Sequence, residues 1–171
     1  LDNLFEGIND TDATSIAISN VLGMGSTATD FLDITGNTGN NFREVIDIVG
    51  SEISVNDNNF SDNLIAFTAG SNFTDMIIKG NTFVGNSAGA SFGCDLRFGW
   101  GANNRYNIIG NNIRDYATAI TATSTDSVNT SVIVNGNNLR GSSVASTFNR
   151  GFTLDVIGSV VDDVIINNNH M

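Results

Sequence analysis

The chain has 171 residues and a formal net charge of −11, from 18 acidic and 7 basic side chains. Such an acidic protein repels phosphate backbones, which excludes nucleic acid as a partner, and no apolar run approaches the ~18 residues of a membrane span, so we predict no membrane insertion. An apolar content of 40% is ordinary for a folded domain, and 26 asparagines and 18 glycines with no proline indicate many tight turns.

In chain order, short apolar segments alternate with turn residues. Two incomplete phrases come first, at residues 16–22 and 32–37. Five complete eight-residue phrases follow, at 53–60, 76–83, 106–113, 132–139 and 164–171, with apolar residues at the first, third and eighth positions. The sixth position is always asparagine, at Asn58, Asn81, Asn111, Asn137 and Asn169. A repeat of 23 to 32 residues with a spacer of variable length is typical of a solenoid.

A second strand-like run precedes most of these phrases, at residues 45–48, 64–67, 96–98, 119–122 and 152–156. The predicted unit is therefore a strand, a short turn, a second strand, an asparagine turn, one apolar residue and a variable loop. We predict a single all-β domain over residues 1–171, a parallel β-solenoid of about seven coils. Because the chain starts at Leu1 and stops inside a phrase, we expect it to be a fragment of a longer protein.

The recurring asparagine predicts a ladder at one turn of the solenoid. Stacked coils place equivalent residues about 4.8 Å apart. Each asparagine amide has both a donor and an acceptor, so a column of them can bond to one another and to the turn backbone. The eighth-position residues form a predicted apolar column just inside that turn, made of Phe60, Phe83, Ile113, Leu139 and Met171.

The phrase I-x-I-x-x-N-x-F/I, over roughly residues 14–171, resembles the right-handed parallel β-helix of pectate-lyase-like proteins and phage tailspikes. The resemblance implies a single-stranded right-handed β-helix. It does not select an activity, because that fold hosts polysaccharide lyases, hydrolases, epimerases, adhesins and passive fibre segments. Fibres of this kind are typically trimers, so the resemblance also implies a homotrimer.

Catalysis on a polysaccharide would need paired carboxylates on one outer face, one protonated and one ionised. The weak candidates lie beside strand residues, and they are Asp33, Asp47, Asp95 and Asp155. An outward aspartate on a strand is usually only solvated, so we predict no catalytic residue. His170 is the single histidine, which excludes a Ser-His-Asp triad. We predict no cofactor and no metal site, with weak Ca²⁺ binding by Asp and Asn oxygens left open.

A ligand site is predicted in the spacer that holds the chain's single tryptophan. A sugar site needs flat aromatic faces and polar groups around the edge of the ring. The candidate ligand-binding residues are Arg97, Trp100, Arg105 and Tyr106. The alternative is that these side chains seal an ordinary coil or contact another subunit.

Three functions fit these observations. The first is a non-catalytic structural or adhesive segment of a phage or viral tail fibre or spike, extracellular on the virion surface. Its predicted partners are two more copies of the chain, other parts of the same fibre and a host-surface glycan. The second is a polysaccharide lyase or glycoside hydrolase of the pectate-lyase-like type. The third is a bacterial surface adhesin, which differs from the first in the particle that carries it.

Overall fold

The computed structural model describes residues 4–6, 16–19, 32–48, 52–69, 75–86, 92–98, 104–124, 130–141, 150–156 and 161–171. Within these ranges every regular element is a β-strand. No helix in this part of the chain is long and apolar enough to cross a membrane.

Eighteen strands are described. In chain order they are Leu4–Glu6 (β1), Ile16–Ser19 (β2), Leu32–Thr35 (β3), Thr38–Asn40 (β4), Glu44–Ile48 (β5), Glu52–Asn56 (β6), Asn59–Asn63 (β7), Ile65–Ala69 (β8), Asp75–Lys79 (β9), Thr82–Gly85 (β10), Phe92–Phe98 (β11), Asn104–Ile109 (β12), Asn112–Tyr116 (β13), Thr118–Ser124 (β14), Thr130–Asn135 (β15), Asn138–Gly141 (β16), Arg150–Val156 (β17) and Val161–Asn167 (β18).

These strands form three parallel sheets of six strands each. Sheet A has the order β1-β4-β7-β10-β13-β16, sheet B β2-β5-β8-β11-β14-β17, and sheet C β3-β6-β9-β12-β15-β18. Each strand pairs with the strand three places further along the chain, so the chain visits A, B and C in turn. The protein is therefore all-β with parallel sheets, an arrangement compatible with a β-solenoid.

The repeating unit contains one strand more than the sequence predicted. The predicted strands correspond to sheets B and C. The segment after the asparagine turn, expected to contribute a single apolar residue before the loop, is itself a strand of sheet A, as at β7 and β10. This third strand carries the eighth-position residue of the first four complete phrases inward.

The core lies between the three sheets and consists of inward columns. In sheet C, successive residues point to opposite faces, and the third position of each phrase is buried. Its column joins, strand by strand, Ile34, Val55, Ile78, Ile108 and Val134, all at most 5% exposed. Ile166 continues the column on β18 but is 42% exposed, because β18 is an edge strand and has a neighbour on one side only.

Sheet A supplies a second inward column. Gly39, Phe60, Phe83, Ile113 and Leu139 pair in register along it. The rings of Phe60 and Phe83 are stacked, with centroids 6.2 Å apart and planes 5° from parallel. Met171 was expected in this column but is 69% exposed. It follows the edge strand β18, and the only pairing with sheet A described in this segment is an isolated bridge between Asn138 and His170.

Candidate functional site

The turn between sheets C and A contains a hydrogen-bonded column of asparagines. Asn111 shows the pattern. Its Oδ1 accepts from the backbone N–H of Asn81 (2.9 Å) and from Asn81 Nδ2 (3.0 Å), and its Nδ2 donates to the carbonyl of Ile78 (2.8 Å) and to Asn137 Oδ1 (2.9 Å). The same side chain-to-side chain bond links each member to the next, and the column runs through Asn37, Asn58, Asn81, Asn111, Asn137 and Asn169.

The position before each ladder asparagine has a left-handed backbone. The φ angles range from 53° to 70°, and the residues are Gly36, Asp57, Gly80, Gly110, Gly136 and Asn168. Gly, Asn and Asp tolerate this region better than other residues. The left-handed residue directs the side chain of the following asparagine along the stack. Because a residue that tolerates this backbone precedes every ladder asparagine, the column is continuous.

A second corner, at the ends of β7 and β13, is irregular. Phe83 pairs with Phe60 but Gly85 pairs with Asn63, so β7 holds one residue more than β10 in this stretch. A similar register shift separates β13 from β16. Asp62 and Asp115 lie at these bulges with φ of 55° and 65°. Bulges of this kind change the direction of a strand and redirect a side chain.

A polar cavity opens at this corner, beside the shorter strand β10. It measures about 540 Å³ and is open to solvent on one side. We call it the corner cavity, and its lining residues are Asn40, Asn41, Asp62, Val84, Gly85, Asn86 and Asp115. The lining therefore contains two carboxylates and three amides.

The corner cavity offers groups that bind hydroxyls. Carboxylates accept hydrogen bonds, and side-chain amides both donate and accept them. Arg114 Nη1 lies 3.9 Å from Asp115 Oδ2 and offsets part of the negative charge. In the part of the chain that the structure describes, no group of three or more His, Cys, Asp and Glu side chains could hold a metal ion.

The predicted catalytic candidates lie at related register positions of sheet B, except for one. Asp47, Thr68 and Asp95 pair in register along β5, β8 and β11. Arg97, Thr123 and Asp155 pair in the same way along β11, β14 and β17. Only the backbone of these residues is described. Asp33 lies instead on sheet C, where it is exposed and accepts a hydrogen bond from Thr35 Oγ1 (2.6 Å).

The predicted ligand-binding residues lie on different elements of the fold. Arg97 is on sheet B and Arg105 on sheet C, while Trp100 lies outside the described residues. Arg105 makes a two-point ion pair with Asp75, Nε to Oδ1 at 2.7 Å and NH2 to Oδ2 at 2.9 Å. The hydrogen bond and the charge of Asp75 raise the pKa of Arg105 above its ordinary value.

Tyr106 belongs to the core and not to an outer surface. It is 1% exposed, in the inward column between Met76 and Val132. Burial raises the pKa of its hydroxyl far above the ordinary value. A sugar on the outer face of β12 cannot reach this ring, so Tyr106 is better understood as the apolar first residue of its phrase.

Sequence reasoning missed the corner cavity. Its bulge residues have a recurring signal, because Asp62 and Asp115 each lie two positions after the eighth residue of a phrase. Aspartate at such a position indicates a left-handed turn. The cavity itself depends on the shorter length of β10 between its neighbours, which no local pattern reveals.

Comparisons with protein-family models, with curated proteins and with solved structures find no match for this chain.

Proposed function

We propose that this protein is a non-catalytic structural and adhesive segment of a tail fibre or spike, a right-handed parallel β-helix of about seven coils similar to phage tailspikes. The asparagine column is the observation that carries the proposal. Every buried ladder amide bonds to the turn above or below it. A side-chain ladder that spans many coils suits a stiff rod whose role is to hold its outer faces in place.

The adhesive part of the proposal rests on the corner cavity. A recess of about 540 Å³ has the size of a small-ligand site. Its carboxylates and amides match the hydroxyl groups of a neutral sugar, so the ligand we propose is a host-surface glycan. The proposal further locates the protein outside the cell, on a virion surface, in an assembly with other fibre proteins and two more copies of itself.

Glycine substitutions test the adhesive role without disturbing the backbone. Asp62→Gly with Asp115→Gly removes both carboxylates, while glycine accepts the left-handed angles at these positions. Asp57→Gly is the matched control, because Asp57 is exposed and has φ of 54° at the other corner. We expect the double variant to lose at least about tenfold in glycan affinity, or ~1.4 kcal/mol, on a panel of neutral glycans, and the control to bind normally.

The proposal predicts binding without turnover. Release of reducing ends or unsaturated products from the same glycans would overturn it. Equal binding by the double variant and the control would remove the corner cavity from the proposal. A monomer by light scattering would contradict the proposed trimer.

An enzyme of the polysaccharide lyase or glycoside hydrolase class is the second candidate, favoured by one observation. Asp47 and Asp95 occupy one register column of sheet B two strands apart, which corresponds to roughly 9.6 Å between backbones. Inverting glycosidases hold their carboxyl groups roughly 6.5–9.5 Å apart. Loss of product release in Asp47→Asn and Asp95→Asn, with retention in Asp33→Asn, would establish this alternative.

A further inference from the structure

We infer that the outer face of sheet C joins copies of this chain side by side, around a rotation axis parallel to the stack. The inference goes beyond the proposed function and identifies a surface through which two copies of the chain meet. Three outward positions define the face on each of β6, β9, β12, β15 and β18, and β3 adds Asp33 and Thr35. On β9 they are Asp75, Ile77 and Lys79, which alternate with the buried Met76 and Ile78.

The central column of this face is largely apolar. Ser54, Ile77, Asn107, Ile133 and Ile165 pair in register from β6 to β18. Ile77 and Ile165 are each 42% exposed. Ile109 adds a further half-buried apolar side chain in the adjacent column. Apolar residues aligned on a flat outer face mark an interaction surface more often than scattered single ones do.

The two flanking columns differ in chemistry. The column at the start of the strands contains three carboxylates, and its members are Glu52, Asp75, Arg105, Ser131 and Asp163. The column at the end of the strands contains one ammonium group and three amides, and its members are Asn56, Lys79, Ile109, Asn135 and Asn167. The first column therefore carries a net charge of −2, from three carboxylates and one guanidinium, and the second carries +1.

This asymmetry makes the face complementary to a second copy of itself. An axis parallel to the stack keeps equivalent strands at the same level, and the start of each strand then meets the end of the partner's strand. At the level of β9, Asp75 faces the partner's Lys79 and Ile77 faces the partner's Ile77. At β6 and β18 a carboxylate faces an amide, Glu52 opposite the partner's Asn56 and Asp163 opposite the partner's Asn167. The relation holds for two copies about a twofold axis.

Complementary charge is the reason to choose a second copy over a foreign partner. The chain carries −11 overall, so two copies repel each other at long range. A surface that pairs acid with ammonium or amide at three levels suppresses that repulsion locally. It also disfavours other registers, because a slip of one level would place Arg105 opposite the partner's Lys79 and Asp75 opposite the partner's Ile109.

The size of the face indicates how strongly copies associate. Five strands at the usual spacing and rise cover roughly 24 Å by 16 Å. Stable interfaces bury about 800 Å² on each partner, which is about twice the planar area of this face. We therefore expect association that depends on protein concentration, and its test must cover a concentration range.

A charge reversal on the face is the first test. In Lys79→Asp an acid would meet the partner's Asp75, and we expect association to weaken at least about tenfold. Arg140→Asp is the matched control, since it makes the same charge change at an exposed position of sheet A. Sedimentation and light scattering over a range of concentrations measure both variants, with circular dichroism to verify the fold. Equal association of the two variants, or a monomer throughout for the unmodified chain, overturns the inference.

Cross-linking is the second test and does not depend on charge. In a Cys94→Ser background, Ile133→Cys places a thiol on the central column, where it meets the same residue of the partner. We expect a short bis-maleimide reagent to link two chains covalently, because sheets packed face to face lie about 10 Å apart, beyond the ~7 Å that a direct disulfide can bridge. Arg140→Cys is the control and should remain mostly unlinked. Association without an Ile133→Cys cross-link would reject this face while leaving the proposed fibre function intact, whereas glycan turnover would reject the function and leave the face standing.

Discussion

Asparagine suits the turn between sheets C and A because its amide is both donor and acceptor. Each ladder side chain accepts two bonds from the preceding asparagine and donates to the preceding coil's backbone and to the next asparagine, as Asn58 and Asn111 do. A carboxylate could only accept, and an alkyl group could do neither. Asparagine is therefore required at this buried corner because the position needs both a hydrogen-bond donor and an acceptor.

Asn111→Ala tests the ladder. It would leave two donors on Asn81 and two acceptors, on Ile78 and Asn137, without their partner. Buried groups without partners cost about 1–3 kcal/mol each, with partial relief by relaxation, so we expect a loss of about 3–5 kcal/mol in the free energy of unfolding. Urea denaturation measures it. Asn59→Ala, at an exposed asparagine of the phrase at 53–60, should cost less than about 0.5 kcal/mol. Similar losses at both positions would contradict the ladder.

Substitutions at the left-handed position before each ladder asparagine can distinguish the cost of backbone strain from the cost of steric crowding. An added Cβ at Gly110 meets nothing within 4 Å, although φ is +64°. We expect Gly110→Ala to cost about 1–2 kcal/mol from the backbone alone. Gly110→Asn should cost less, because asparagine occupies the same position at Asn168 with φ of 53°.

Gly80→Ala should be the most destabilising of these substitutions. Its φ is +68°, and an added Cβ would also overlap Asp57 Oδ1 of the neighbouring coil. Thermal unfolding of the three variants gives the order. An equal effect of Gly110→Ala and Gly80→Ala would mean that Asp57 moves aside at no cost.

At the scale of the element, the strands of sheet A show what one inward residue per coil contributes. Phe60 and Phe83 are fully buried, and their rings lie parallel 6.2 Å apart. Stacked aromatic pairs contribute beyond the apolar area they bury. The column of eighth-position residues therefore holds the third sheet against the other two.

Phe83→Ala is expected to cost about 3–5 kcal/mol in the free energy of unfolding, because it opens a cavity between Phe60 and Ile113. Val84→Ala is the neighbouring control, as Val84 is only partly buried, and it should cost about 1 kcal/mol or less. Denaturant unfolding of both variants measures the difference. Comparable losses would show that the aromatic column does not anchor sheet A.

The strands of sheet C could be predicted from the sequence, and those of sheet A could not. The phrase at 76–83 shows two-residue alternation and a turn residue before Asn81, both of which are local signals. A sheet A strand such as β10 has four residues and one strongly apolar inward side chain, Phe83, so it shows no alternation. Its strand conformation comes from pairing with β7 and β13, which is a contact between distant residues.

The positions of side chains could likewise be predicted where the signal is local in sequence, and not where it depends on contacts between distant residues. The ladder asparagines recur at fixed positions of the phrase, so their alignment could be expected from sequence. The grouping of Arg105 with Tyr106 as a sugar site ignored that neighbouring strand residues point to opposite faces, and the structure places Arg105 outside and Tyr106 in the core. The corner cavity required the relative lengths of adjacent strands, which only the paired structure supplies.

At the scale of the whole molecule, the contribution of a core residue to the free energy of unfolding depends on its place in the stack. In a repeat architecture each coil contacts only its neighbours, so stability is roughly a sum of coil terms and interfaces between coils. Ile108 and Ile166 occupy the same inward column, joined through Val134. Ile108 is fully buried between two coils, whereas Ile166 is 42% exposed on the edge strand.

The same substitution at these two places isolates that effect, because residue type and phrase position are identical. We expect Ile108→Ala to lower the free energy of unfolding by about 2–5 kcal/mol. Ile166→Ala should lower it by about 1 kcal/mol or less, because roughly half of the side chain already contacts water and the coil can adjust around it. Urea unfolding at one fixed protein concentration removes the contribution of association between copies. Hydrogen exchange adds a second readout, since amides of β12 should be protected more strongly than those of β18. Equal losses together with uniform protection would mean that the stack unfolds as one block, with no gradient from its centre to the edge strand.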